Sequence, residues 1–481
     1  MFAVACSVSL MAQDSLYHEK YRPQYHFTPA HRWIGDPCGL IKHNGKYLAY
    51  SWGAAETEDL VHWIELNNHA ILGVPKGIST FTGSVVVDKN GSVGYGEDAL
   101  IAAFTSFDEQ TKKQSQSIAF SRDGGVTYQY YDQNPVLDIW STEFRDPTVI
   151  WDEKTGKWIM LVAKALEKKV AFYSSDDLKH WQWLSEFGPM GDSERSWECP
   201  DMFRLAVDGN PENKKCVMVI SVNWAREQYF IGDFNGKEFV PDSPNSEPQY
   251  IDEGLDYYAS RVFQNYDNSD EPVYTIGWVN TWDYANQAPT TYGKGIWSIP
   301  REYKLKSTDE GLRLIQLPFV GLETLRGKPF NLNTKLPVGV KPLKEIAKMG
   351  NTYEIDATFN AQRPDQFGFY LCEGSGRKLV INYDTESQML TVDRTNVTDA
   401  DIPKFKRMAF CQLQPENGSI NLRVFVDKST VEIFANNGEK VMTLLTYPSE
   451  SQTGASVYSH RGSTNLKLSA WSLDSSWQNS L

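Results

Sequence analysis

The chain has 481 residues, too many for one ordinary domain, so roughly two to four folding units or one large β unit with a smaller partner are expected. Lys and Arg number 47 against 61 Asp and Glu, a formal charge of −14 with no block of basic residues, which argues against nucleic acid or an anionic membrane surface as partner. Aromatic residues make up 13%, with 15 Trp and 24 Tyr, many in polar neighbourhoods, a composition that suits both sugar-binding clefts and bulky β-sheet cores.

The first segment, MFAVACSVSLMAQ, is apolar and small up to Ala12 and polar from Gln13. It resembles the apolar region and small-residue cleavage site of a secretory signal, without a basic leader, and points to a secreted or periplasmic protein. A short buried strand is the alternative, and lipid anchoring at Cys6 has poor flanking support. No apolar run elsewhere reaches the length of a membrane span. The other cysteines, Cys38, Cys199, Cys216, Cys372 and Cys411, are scattered, so neither a disulfide framework nor a zinc site is indicated.

Short β-rich runs divided by Gly, Asn, Asp and Pro follow, among them GKYLAYSW, GSVVVD, ALIAAFTSF, KWIMLVAKAL, KKVAFYSS and CVMVISVNW. No sustained amphipathic helix pattern appears, so an all-β fold is predicted, as propeller, sandwich or barrel. A weak echo favours the propeller: TEDLVHW (57–63), SRDGGVTY (121–128) and SSDDLKHW (174–181) each place Ser or Thr and Asp at a turn with an aromatic behind it. The stretch LRLIQLPFVGLETL reads as a connector, and from about residue 340 the alternating strands TYEIDATF, FGFYLCE, KLVINYD, NLRVFVDKSTVEIFANNG and KLSAWSL predict a two-sheet sandwich, with NNG as a hairpin turn. The expected division is a signal remnant at 1–12, a propeller at 17–318, a linker at 319–339 and a sandwich at 340–481.

Zinc-protease, P-loop and nucleophile-elbow motifs are absent, and the eight histidines fall singly. What stands out is acids in unusual company: Asp36 in WIGDPCGL, Asp146 in EFRDPTVIW and Glu198 in RSWECPDMF, each near Pro and aromatics. Singly, such acids are ordinary turn or strand-end residues. Together they could supply the two groups that cut a glycosidic bond, one carboxylate to attack or activate water and one acid to protonate the leaving oxygen.

In this order and spacing the three motifs resemble those of glycoside hydrolase family 32, the invertase, inulinase and levanase group of β-fructofuranosidases. Supporting matches are HFTP (26–29), WGAAETEDLVHW (52–63), FTGS (81–84), DYYA (256–259), GWVNTW (277–282), SIPRE (298–302) and DKSTVEIFANNGE, so the resemblance covers nearly the whole chain after the leader. It implies a five-bladed β-propeller followed by a β-sandwich, and a retaining hydrolase that releases fructose from terminal β-fructosides such as sucrose, inulin or levan. Asp36 would then be the nucleophile, Glu198 the general acid and base, and Asp146 the stabiliser of the transition state, with Arg145 balancing charge. Trp33, Trp52, Phe81, Ser84, Tyr257 and Trp282 become candidate substrate contacts. No cofactor and no metal is implied. A retaining pair requires carboxyls about 5–5.5 Å apart, an inverting pair roughly 6.5–9.5 Å.

The sequence also departs from the family. Gly35 and Cys38 replace the two asparagines usual in the first motif, Ala54 stands where a His is usual, and the Gln-bearing rim loop before it is missing, which predicts a more open pocket mouth. Rival readings are a fructan-binding protein on a disabled scaffold, a propeller glycosidase of arabinan-like specificity, and a purely structural interaction module.

Overall fold

The computed structural model describes residues 16–243, 247–268 and 270–477. The leader-like segment 1–12 and Cys6 lie outside the described residues. The chain is nearly all β, and its few helical turns are short.

The N-terminal part is a succession of antiparallel sheets taken up in chain order. The first is built on Cys38–His43, Lys46–Tyr50, Ala54–Thr57 and Ile64–Asn67. The second follows with Ile78–Asp88, Ala99–Asp108, Gln114–Ser121 and Tyr128–Tyr130, and the third with Phe144–Asp152, Lys157–Lys164, Lys169–Ser175 and Gln182–Phe187. A nine-stranded fourth sheet consists of two such runs, one led by Trp197–Val207 and one by Tyr258–Val262, joined through a single parallel pairing of Val207 with Leu305. The leading strands touch in ring order, from Cys38–His43 through Ile78–Asp88, Phe144–Asp152, Trp197–Val207 and Tyr258–Val262 back to the first. This closed ring is the propeller organisation that the strand spacing predicts.

The strand KWIMLVAK shows why the sheets stack face to face. A strand in mid-sheet is buried on both faces and reads as a continuous apolar run. Here Trp158, Met160 and Val162 pack with Val86 and Ile101 of the second sheet, while Ile159 and Leu161 pack with Met202, Met218 and Ile220 of the fourth. The recurrent Ser/Thr and Asp pairs close turns at the outer strands. Thr57 donates to Asp59 (3.0 Å), Ser121 to Asp123 (2.8 Å) and Ser175 to Asp177 (3.2 Å), and each Asp accepts backbone N–H groups of the following residues. Asn235 does the same work in the fourth sheet, accepting from the Lys237 and Glu238 amides.

The C-terminal part is two six-stranded sheets. Ile355, Phe359, Leu422, Ile433 and Leu466 of one pack against Phe367, Phe369, Ile381 and Val457 of the other in one continuous core, as a sandwich requires. The NNG turn forms as expected, with Asn436 and Asn437 both left-handed (φ 46° and 54°) between Thr430–Ala435 and Lys440–Leu445. The linker expected at 319–339 needs correction. Phe330–Leu336 is an edge strand of the sandwich, paired along its length with Thr464–Ser472, so only the short turn Val320–Leu325 and its flanks connect the two parts.

The two parts are fused by buried charge. His26, ahead of the propeller, sits between Asp427 (Nδ1, 2.9 Å) and Glu432 (Nε2, 2.9 Å) of the sandwich, and Arg301 bridges Glu432 (2.6 Å) and Asp252 (3.0 Å). Burial pulls the imidazole pKa down, but the hydrogen bonds and charges of both carboxylates outweigh it and raise it to about 9. A folded value above the unfolded 6.5 contributes stability that is complete below pH 6.5 and lost as pH rises through 9. That window is worth about 3 kcal/mol. Chemical unfolding between pH 6 and 9.5 should therefore show a decline in stability that His26→Gln flattens; an equal decline in the variant would place the effect elsewhere.

Candidate active site

Every leading strand breaks its register at the same level of the ring. The shifts fall between Cys38 and Ile41, Thr80 and Gly83, Arg145 and Thr148, Glu198 and Asp201, and Tyr258 and Arg261. Bulges re-aim side chains, and those of the second to fifth leading strands carry Thr82, Asp146, Glu198 and Tyr258. Asp146, Cys199 and Ala259 adopt left-handed backbones at these points (φ 62°, 48° and 52°). Glycine is required at two of them. A Cβ on Gly39 (φ 60°) would meet Val85 Cγ2 at 2.5 Å, and one on Gly83 would meet the Ala103 carbonyl at 2.0 Å.

Asp36 is presented by a turn tied on three sides. The Ile34 amide donates to the Lys294 carbonyl (2.8 Å), the Gly35 amide to Ser51 Oγ (3.2 Å), and the Trp297 indole to the Gly35 carbonyl (3.0 Å). Asp36 Oδ2 accepts from the Thr82 hydroxyl (2.8 Å), whereas the buried Oδ1 has no partner among the described residues. Cys199 Sγ lies 3.7 Å from Asp36 Oδ2 and 3.6 Å from Asp146 Oδ2, and the Cys199 amide donates to the same Asp146 oxygen (3.1 Å). The Asp146 amide donates to Thr105 Oγ1 (2.9 Å).

Glu198 is held at both oxygens. Arg145 donates from Nε (3.2 Å) and Nη2 (2.7 Å) to Oε1, and the Tyr258 hydroxyl donates to Oε2. Arg145 is in turn fixed by Glu143 (2.6 Å) and by Gln114 Oε1 (3.2 Å). Beneath the acids, Arg261 is buried and donates to Thr148 and to the Pro200 carbonyl (3.0 Å). Its charge is felt by both aspartates.

Burial pushes the Asp36 carboxyl up to about 6; the Glu198 charge adds to this, while the Thr82 hydrogen bond, Arg261 and Cys199 oppose it. Asp146 is also raised, first by burial, with Arg145 pulling against the charges of Glu198 and Asp36. Both aspartates thus lie above the usual carboxylate range, because burial disfavours their charged forms. Chemistry that needs ionised Asp36 declines as pH falls through about 6. Removing the Thr82 donor should shift that acidic limb upward by about one pH unit, the worth of a hydrogen bond to a charged group. The pH dependence of kcat/KM for Thr82→Val tests this, and an unmoved limb would mean that Thr82 does not tune Asp36.

The three expected acids and Arg145 therefore meet at one centre. Trp33 (36% exposed) and Trp282 (44% exposed) stack at the rim, centroids 6.0 Å apart at 20°. Phe81 precedes Thr82 and stacks on Phe107 (4.6 Å, 12°). Trp52 is mostly buried behind Phe81, with its indole N–H on the Phe81 carbonyl (2.6 Å).

Two of the expected contacts need correction. Ser84 is buried and its hydroxyl accepts from the Val149 amide (2.9 Å), joining the second sheet to the third. Tyr257 is buried with its ring 4.1 Å from the Arg301 guanidinium, facing the domain junction. The adjacent Tyr258 reaches Glu198 instead. Thr82, Tyr258 and Arg261 were not singled out in the sequence, although Thr82 and Tyr258 lie inside the FTGS and DYYA motifs. Among the described residues no His, Cys, Asp or Glu group is arranged to hold a metal ion, and no helix is long and apolar enough to cross a membrane.

The model of the glycosyl hydrolases family 32 N-terminal domain matches residues 26–318, and that of the family 32 C-terminal domain matches 321–472. The chain is a glycosyl hydrolase by this measure, and it belongs to family 32. It is 38% identical over 486 residues to a levanase of Bacillus subtilis (strain 168), covering 95% of this chain and 71% of that one. An extracellular exo-inulinase of Aspergillus niger is 31% identical over 530 residues, with 98% of each chain covered. Among solved structures, exo-inulinase from Aspergillus awamori superposes with a TM-score of 0.89 at 31% identity, over 96% of this chain and 100% of that one. A β-fructofuranosidase from Schwanniomyces occidentalis, solved with fructosyl-erythritol, gives 0.84 at 27% identity over 95% and 98%.

Proposed function

We propose that the protein is a retaining β-fructosidase that releases fructose from the ends of sucrose-like oligosaccharides and of inulin- or levan-type fructans. The observation that carries this reading is the pairing of Asp36, one oxygen pinned by Thr82 and the other free, with Glu198, held by Arg145 and Tyr258 and near enough for its charge to act on Asp36. The names of the relatives, levanase, exo-inulinase and β-fructofuranosidase, support the substrate class.

In the first step Asp36 Oδ1 attacks the anomeric carbon of the terminal fructosyl unit while Glu198 gives its proton to the departing oxygen. A fructosyl ester on Asp36 results. In the second step Glu198, now a carboxylate, takes a proton from water as that water attacks the same carbon, and Asp36 leaves as a carboxylate. Asp146 accepts hydrogen bonds from fructose hydroxyls and stabilises the positive charge that develops on the ring. Trp33 and Trp282 offer aromatic faces at the mouth.

The fold reading behind this is a five-bladed propeller, supported by the ring of five leading strands and by the two four-stranded runs within the nine-stranded sheet. Residues 17–318 form that unit on this reading, and the sandwich begins at Phe330. Action outside the cytoplasm is supported by the leader-like segment and by the extracellular relative. Fructose release from sucrose, inulin and levan by the purified protein tests the proposal. Turnover that vanishes in Asp36→Ala and Glu198→Ala supports it; binding of fructan without turnover would favour a disabled scaffold, a reading motivated by Gly35 and Cys38.

A further inference from the structure

Trp140 is the most exposed large apolar side chain among the described residues, at 83%. It also has a left-handed backbone (φ 60°), a conformation that is unfavourable for a bulky residue and persists only where the surroundings enforce it. The enforcement is visible. The Trp140 amide donates to Asp138 Oδ1 (2.7 Å), Lys113 donates to Asp138 Oδ2 (2.8 Å), and the Lys113 ammonium stands 4.1 Å from the indole centroid. One face of the indole is thus braced by Lys113, and the ring is held out into solvent.

Its position relative to the acids is fixed by the sheet. Trp140 lies in the strand Leu137–Ser141, which pairs with the edge of Gln114–Ser121, Ser141 opposite Gln114. Gln114 Oε1 accepts from the Phe144 amide (2.9 Å) and from Arg145 Nη1 (3.2 Å), and Arg145 holds Glu198. Four residues lie between Trp140 and Arg145, a span of at most about 18 Å. Phe81 and Phe107 form a stacked pair on the same sheet, beside Thr82.

We propose that Trp140 is the platform of an outer sugar subsite, which holds the part of a β-fructan chain that lies beyond the bond being cut. The inference rests on the proposed β-fructosidase activity. The flat, apolar CH face of a sugar ring stacks on an exposed indole, and a ring already immobilised by Asp138 and Lys113 loses little freedom when a sugar docks on it. On this proposal Trp140 lies beyond the reach of the single glucose of sucrose, so that only a longer fructan chain leaving the site engages it.

The test compares Trp140→Ala and Trp140→Phe with the wild type on sucrose and on long-chain inulin and levan. Trp140→Ala should raise KM for one or both polymers about tenfold while leaving sucrose kinetics unchanged, and Trp140→Phe should recover part of the loss. Equal effects on sucrose and polymer, or no effect on either, would overturn the subsite. Migration through native gels containing levan or inulin reads binding without turnover. Retardation of the wild type that Trp140→Ala abolishes supports the subsite even if no substrate is cleaved, in which case only the proposed activity fails; equal migration of both proteins overturns it.

Discussion

Asp36→Asn lowers kcat by about four orders of magnitude or more on every substrate the wild type cleaves, with little change in fold. The amide has the shape of the carboxylate and can still accept from Thr82, so the turn held by Lys294, Ser51 and Trp297 persists. What disappears is the free Oδ1 lone pair that forms the ester bond. Unchanged thermal stability beside lost turnover is the expected pair of results. A residual rate within tenfold of wild type would remove Asp36 from the chemistry.

Glu198→Gln is the second large effect, with kcat falling by about 10²–10⁴, the range of general acid catalysis. The amide keeps hydrogen-bonding capacity toward Arg145 and Tyr258 but cannot deliver a proton to the leaving oxygen. The loss should therefore depend on the leaving group. A fructoside with an acidic phenol as aglycone needs no protonation and should form the ester at a rate near that of wild type, after which the ester hydrolyses slowly because no base activates water. Equal losses in the rate of ester formation from sucrose and from the activated fructoside would instead assign Glu198 a positioning role.

The three acids were legible in the sequence because each stands in a short motif whose neighbours do a physical task that the structure displays. Gly39 permits the left-handed backbone after Asp36, and Cys199 packs between Asp36 and Asp146. The Ser/Thr and Asp turns were legible for the same reason, since a short side chain capping backbone amides is a local event.

Tyr258 was not legible. Strand alternation tells which of two consecutive tyrosines faces inward only while the register is unbroken, and the bulge between Tyr258 and Arg261, with Ala259 left-handed, resets the parity. Ser84 misleads in the same way: the bulge before Gly83 separates it from Thr82, so the two hydroxyls of FTGS serve different partners. The strand Phe330–Leu336 was hidden by its place at a sheet edge, where every second residue is a solvent-facing Asn or Lys and only one residue is fully buried. Arg261, inside an otherwise apolar-looking strand, has meaning only once the ring closes and brings its charge to Asp36 and Asp146.

The central claim is that Asp36 carries the fructosyl group between the two chemical steps. Rapid quenching of Glu198→Gln with an activated fructoside, followed by peptide mapping by mass spectrometry, measures this directly. One fructosyl unit esterified to the peptide that contains Asp36 is expected, absent when Asp36 is also replaced by Asn. Turnover of the same substrate with no adduct on that peptide, or an adduct on another carboxylate, would contradict it.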